Sequence, residues 1–239
     1  MKGFNLFKEY FGLILYDEEG TKVFGFENIS RRRSNLLRIA PDGGCFGYVN
    51  EGEIRMVEDG QSYDIKEGHY FSTKDGLNAL PISERYRVVV WQKKNHEGQL
   101  TIGKWEPEGR LNYIDGCRDS VLINPLQKGS PCLNALYMPD GVHQTMHTHP
   151  STRSGFIIKG GARCETPEGT YDLESGQIFY LQTDTEHKFR SDHKKNIYMK
   201  LIAYHPDSDF GPSHEEHPMV NRTIVDGKSA KDIDEIRTK

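Results

Sequence analysis

The feature that most limits the fold is an internal repeat. Tyr63-Asp64-Ile65-Lys66-Glu67-Gly68, then Tyr70-Phe71, recurs as Tyr171-Asp172-Leu173-Glu174-Ser175-Gly176, then Phe179-Tyr180. The flanks repeat too: Gly52 stands to Asp59-Gly60 as Gly161 stands to Glu168-Gly169. Self-similarity on this scale means two copies of one supersecondary unit.

The unit is built of strands. Gly52–Val57, Arg85–Trp91, Phe156–Ile158, Ile178–Leu181 and Ile197–Tyr204 are short and rich in β-branched and aromatic residues, which suits strands and is too short for helices. Asp59-Gly60 and Glu168-Gly169 mark tight hairpins. Residues 93–116, rich in Lys, Asn, Glu and Gly, look like the connection between copies. After Tyr204 the chain turns polar, with Pro206, Gly211, Pro212 and Pro218, and reads as an extended tail lying over the body.

Composition narrows the partners. The 239 residues are 35% hydrophobic and include 24 Gly, roughly 45% together, enough for one or two modest cores. A net charge of −4 asks for neither nucleic acid nor an anionic membrane. The Arg31-Arg32-Arg33 run reads as a solvated turn. Met1 to Leu15 mixes apolar residues with Lys2, Lys8 and Glu9 and lacks a cleavage site, and no apolar run would span a bilayer. A cytoplasmic location is therefore expected. Cys45, Cys117, Cys132 and Cys164 are widely spaced and read as free thiols.

The segment richest in chemistry is Gly141-Val142-His143-Gln144-Thr145-Met146-His147-Thr148-His149. Residues two apart on a strand project to one side, so His147 and His149 would offer two imidazoles to one ion. On the same alternation His143 would serve as an acid/base group or further ligand, unless it sits in a loop. His214-Glu215-Glu216-His217 has zinc-like spacing but no helix to carry it, and reads as surface.

Gly141, His147, His149 and Gly160 or Gly161, followed by Gly176 and His187, resemble the two motifs of the cupin superfamily. The first runs Gly, five residues, His-x-His, three or four residues, Glu, six residues, Gly. The second runs Gly, five residues, Pro-x-Gly, two residues, His, three residues, Asn. The resemblance covers 117–205 closely and, through the repeat, 35–92 loosely. It implies an all-β fold of two tandem, jelly-roll-like β-barrels. The expected division is a degenerate barrel at 1–95, a connection at 96–116, a metal-binding barrel at 117–205 and a tail at 206–239. Sliding the repeat back puts Arg38, Ala40 and Ala79 at the ligand positions, so the first barrel should hold no ion.

The departures carry information. The family's Glu would fall at Arg153 or Ser154, and Gln182, Asp184 and Ser191 replace its Pro, Gly and Asn. What the resemblance then implies is a three-histidine site of His147, His149 and His187 for one divalent ion, Fe(II) favoured, with Zn, Ni or Mn as alternatives. An uncompensated metal charge suits an anionic substrate. If Arg153 takes the Glu position, its guanidinium enters the barrel mouth and can grip a carboxylate; if Ser154 does, Arg153 faces solvent. The resemblance favours a dioxygenase-like enzyme acting on a small molecule, against a non-oxidative lyase or isomerase and a non-catalytic binding protein. Exposed edge strands make a homodimer the expected assembly.

Overall fold

The computed structural model describes residues 3–8, 10–28, 36–191, 198–208 and 218–237. The Arg31–Arg33 run and the His214–His217 segment lie outside the described residues. The strands are β1 (Phe4–Phe7), β2 (Phe11–Tyr16), β3 (Thr21–Asn28), β4 (Leu37–Ile39), β5 (Cys45–Glu51), β6 (Glu53–Glu58) and β7 (Gln61–Lys66). There follow β8 (His69–Ser72), β9 (Leu77–Pro81), β10 (Tyr86–Lys93), β11 (Thr101–Lys104), β12 (Leu111–Asn112) and β13 (Arg118–Ile123). The last of the body are β14 (Cys132–Met138), β15 (Arg153–Thr166), β16 (Gly169–Glu174), β17 (Ile178–Leu181), β18 (Lys188–Arg190) and β19 (Met199–His205).

The N-terminal half pairs a sheet ordered β11-β8-β5-β10-β3-β2 with one ordered β4-β9-β6-β7. Leu37, Ile54, Ile65, Phe71, Val88 and Val90 fill the space between them. The C-terminal half is one sheet ordered β1-β17-β15-β19-β14-β13-β12, with β16 and β18 pairing the far end of β15. Its interior is packed by Ile157, Leu173, Phe179, Phe189 and Leu201.

Strand pairing crosses the expected boundaries at 95 and 116, and β12 inside the expected connection pairs with β13. β1 pairs antiparallel with β17 of the other half, from Phe4↔Leu181 to Phe7↔Ile178. β11, inside the supposed connection, pairs with β8 of the first half. Both strands cover a sheet edge that would otherwise offer unpaired backbone groups, a benefit that short-range patterning does not register.

The two halves also share a third core. Tyr48, Val89 and Trp91 from the first half meet Phe156, Ile202 and Tyr204 from the second, all buried. The Trp91 and Tyr204 rings stack at 6.0 Å and 7°. In β19, Ile202 and Tyr204 face this shared core while Leu201 and Ala203 face the C-terminal interior. A strand buried on both faces reads as a continuous apolar run, which is how Ile197–Tyr204 looks in the sequence.

The repeat survives, with one change of register. Gly52 and Gly160 both adopt left-handed backbone, φ 79° and 75°. A Cβ there would lie 2.2 Å from the Arg85 carbonyl oxygen and 1.6 Å from that of Tyr198, so each site admits only glycine. Gly160, not Gly161, is thus the partner of Gly52. The Asp59-Gly60 hairpin forms as expected, with φ of 49° and 75° matching the twist of its strands. In the second copy the turn is Pro167-Glu168, and Gly169 opens β16.

Among the described residues, the inward positions of the first barrel are not those expected. β4 pairs Leu37 with Ala79, and Leu37, Ile39 and Ala79 are all buried in apolar packing. Arg38 and Ala40 point outward. Among the described residues the tail is not extended: it holds a short helix (Pro218–Arg222), a small hairpin (Ile224–Val225 with Lys228–Ser229) and two 3-10 turns. No described helix is long and apolar enough to cross a membrane.

Candidate metal centre and its cavity

The site sits where two chain segments close the open end of the C-terminal barrel. Residues 141–150 form no regular strand; they touch the segment around His187 through isolated bridges, His143↔Arg190 and His147↔His187. His147 and His187 exchange both backbone bonds, at 3.0 and 2.9 Å. That pairing sets the two imidazoles side by side, with ring centroids 4.5 Å apart, and His149 lies 5.1 Å from each. Each of the three residues offers one ligand atom, and these atoms all lie within 4.8 Å of one another.

Two hydrogen bonds orient the rings. Nδ1 of His147 lies 2.8 Å from the Thr145 carbonyl oxygen, and Nδ1 of His187 lies 2.9 Å from that of Thr185. A carbonyl only accepts, so each Nδ1 carries the proton and each Nε2 keeps its lone pair for an ion. Burial holds His149 down to about 3, helped by the Arg153 charge, and His187 down to about 4. Both are therefore neutral at physiological pH and would take an ion without first losing a proton. The donor set fits one divalent ion, and His147, His149 and His187 would hold it.

His143 does not join them. Its side chain is exposed, while Gln144 is 4% exposed and lines the cavity instead. The alternation that would have turned His143 inward breaks at Thr145 and Met146, both exposed. Gln144 is occupied structurally, donating to Cys117 Sγ and accepting from the Phe189 N–H. Cys164 is fully buried in apolar packing and its thiol is pushed further from ionisation by that burial.

Arg153 does line the cavity, and Ser154 faces the other way, toward the shared core, between Tyr180 and Tyr204. The guanidinium is held by its own loop: Nη1 donates to Ser151 O at 3.1 Å, Ser151 Oγ at 2.5 Å and Thr152 O at 2.8 Å. That loop is in turn fastened by the first half of the chain. Glu19, in the β2–β3 turn, accepts from the Thr152 N–H at 3.1 Å and the Thr183 hydroxyl at 2.6 Å. Asp17 and Glu19 share the Thr152 hydroxyl. Glu19→Ala leaves the buried Thr152 N–H unpaired, a cost of about 1–3 kcal/mol. Because Glu19 bonds Thr152 and Thr183 and none of the three histidines, the substitution is expected to weaken divalent-ion binding less than the roughly tenfold that loss of a ligand's own partner costs. A metal titration of the variant that matches wild type would show that the ligands hold themselves.

The inner face of the sheet carries polar groups that motif reading missed. On adjacent strands β15, β19, β14 and β13 stand Arg153, His205, Asn134 and Asp119, all lining one cavity with the three histidines. The space is about 80 Å³, enough for a few waters or a ligand of a few atoms and smaller than the usual small-molecule site. Leu136, Phe179, Leu181, Phe189 and Leu201 supply its apolar walls. His205 Nε2 donates to Asn134 Oδ1 at 2.7 Å, and Asn134 Nδ2 donates to Asp119 at 3.3 Å. Burial drives His205 well below its usual range and raises Asp119 to about 7.

For Asp119 the sign is unfavourable to folding. Its folded value exceeds the unfolded one, so stability is lost as pH rises from about 4 to 7. Asp119→Asn is therefore expected to stabilise the protein by roughly 1–3 kcal/mol at pH 8, with the gain vanishing near pH 4. Thermal melts across pH check this; a pH-independent difference would contradict it.

Comparison with known proteins agrees with the fold. Residues 135–204 match the family model described as Cupin domain. No curated protein sequence matches the chain. Solved structures with the same fold include a putative glyoxylate induced protein from Pseudomonas aeruginosa, 13% identical, TM-score 0.66, covering 89% of this chain and 83% of that one. Salicylate 1,2-dioxygenase from Pseudaminobacter salicylatoxidans is 9% identical, TM-score 0.58, covering 78% and 70%. A variant of oxalate decarboxylase from Bacillus subtilis is 11% identical, TM-score 0.54, covering 81% and 71%.

Proposed function

We propose that this cupin-fold chain is a metal-dependent enzyme that uses His147, His149 and His187 to hold Fe(II) and oxidises a small organic acid with O₂. The observation that carries the reading is the shared cavity: three neutral imidazoles converge on one side, and a guanidinium stands in the same wall. A bound ion would supply an open, positively charged face for substrate and O₂. Among the described residues no carboxylate joins the three histidines to offset that charge, which favours an anionic substrate. Arg153 anchors the carboxylate, and Phe179, Leu181 and Phe189 keep water from the reacting end. The named activities of two structural neighbours, on salicylate and oxalate, support a carboxylic acid as substrate.

The test is anaerobic reconstitution with Fe(II), Mn, Zn or Ni, followed by oxygen-uptake measurements over a panel of carboxylic acids, phenols, thiols and diketones. Oxygen consumption with iron alone is expected. Turnover without oxygen, kept with Zn or Ni, would instead make the protein a lyase or isomerase. No turnover with any metal would make it a binding protein.

A further inference from the structure

Alternation along β19 puts Lys200 on the same side as Ile202 and Tyr204, at the end where the shared core runs out. The strand register there builds a row of cations. Arg118 stands directly opposite Tyr137, Tyr137 opposite Lys200, and Lys200 opposite Lys159. Opposite residues of antiparallel strands share a face, and neighbouring strands are about 4.8 Å apart. Arg118 and Lys200 thus flank Tyr137 with about 10 Å between their backbones, a span their long side chains can close. Like charges directly opposite, as in Lys159 and Lys200, destabilise a sheet. Among the described residues, none of the three cations has a carboxylate partner. Aromatic rings surround them instead. The Lys200 ammonium lies 5.1 Å from the Trp105 ring centre, 5.4 Å from that of Tyr137 and 5.6 Å from that of Tyr198. Lys159 lies 5.4 Å from the Tyr198 ring. Such rings attract a cation and leave its charge in place.

Arg118 and Lys200 both line a groove of about 560 Å³, against about 80 Å³ beside the histidines. Arg118 is exposed and Lys200 half-buried, so both reach this space. Their donors are available. Lys200 spends one N–H on the Pro107 carbonyl oxygen at 2.5 Å and keeps two. The Arg118 fork has no acceptor among the described residues. Met138, Pro139 and Tyr198 give the groove apolar sides, and Glu108 is the one carboxylate of its lining. We propose that this groove is a second binding site, for a small organic phosphate. Arg118 and Lys200 take the phosphate, and the apolar sides take the organic part. A phosphate monoester offers three oxygens, enough for a bidentate guanidinium and an ammonium together. The site stands apart from the three histidines and does not depend on the reaction proposed for them.

Calorimetric titration of the full-length protein tests it with AMP, phenyl phosphate and glycerol 3-phosphate, each beside its unphosphorylated counterpart, adenosine, phenol or glycerol. At least one phosphate is expected to bind, and its counterpart at least about tenfold more weakly. Arg118→Gln and Lys200→Gln should each weaken the phosphate about tenfold, and Arg118→Lys should restore part of the loss. The Lys200 change also empties a ring of aromatics. Arg118 is exposed and holds no other side chain, so its variant carries the test if the lysine variant does not fold. His147→Ala should bind the phosphate as wild type does, which separates this site from the metal centre. Binding of no phosphate, equal binding of the counterparts, an affinity untouched by Arg118→Gln, or its loss in His147→Ala would each overturn the proposal. Affinity that climbs with the length of a single-stranded oligonucleotide would make the row a nucleic-acid surface and overturn the small-ligand assignment.

Discussion

His187→Ala is expected to cost the protein its divalent ion, with affinity falling at least a hundredfold while the barrel stays folded. His187 is the pivot of the site. It is 2% exposed, its backbone pairs with His147 in both directions, and its Nδ1–H is tied to Thr185 O. Removing the imidazole leaves two ligands, a larger loss than the ten- to hundredfold of an outer partner. The readout is thermal. An ion at one hundred times its dissociation constant stabilises wild type by about 2.7 kcal/mol, and the variant should gain almost nothing. Acid should act in the same direction in the metal-free protein. The folded values of His149 and His187, about 3 and 4, lie below the unfolded 6.5, so the unfolded chain binds protons first. Stability present above pH 6.5 is then lost as pH falls toward 4. A metal-induced shift equal in wild type and variant would remove His187 from the site.

Trp91→Ala is expected to be the most destabilising single change, at about 3–5 kcal/mol and on the order of 10 °C in melting temperature. Trp91 is fully buried and stacked on Tyr204 across the boundary between the two halves. The cavity it leaves is lined from both sides, so neither half can relax around it alone. Wild type should therefore unfold in a single transition, seen together by far-UV and aromatic signals. Two separated transitions, with only one moved by the substitution, would mean the halves are independent.

Much of this was legible in the chain. The five strand segments, the Asp59-Gly60 hairpin and the His147, His149 and His187 set could be read because they depend on local chemistry: alternation, turn conformation and motif spacing. The pairing of β1 with β17 could not, because it joins residues at opposite ends of the chain and leaves no local trace. His143 was misplaced since the alternation assumed a strand, and the break at Thr145-Met146 is visible only once backbone pairing is known. Asn134 and His205 did leave a signal, as isolated polar residues within apolar strands. Neither matches a motif, and only strand order shows that they stand beside Arg153 and Asp119. The histidines were readable as a pattern; the cavity wall beside them was not.

The central claim is that three histidines of the second barrel hold one metal ion. Elemental analysis of purified, divalent-ion-reconstituted protein, beside a His147→Ala control with an unchanged circular dichroism spectrum, tests it most directly. Close to one ion per wild-type chain and close to none in the variant are expected. Equal metal content in the two proteins would contradict it.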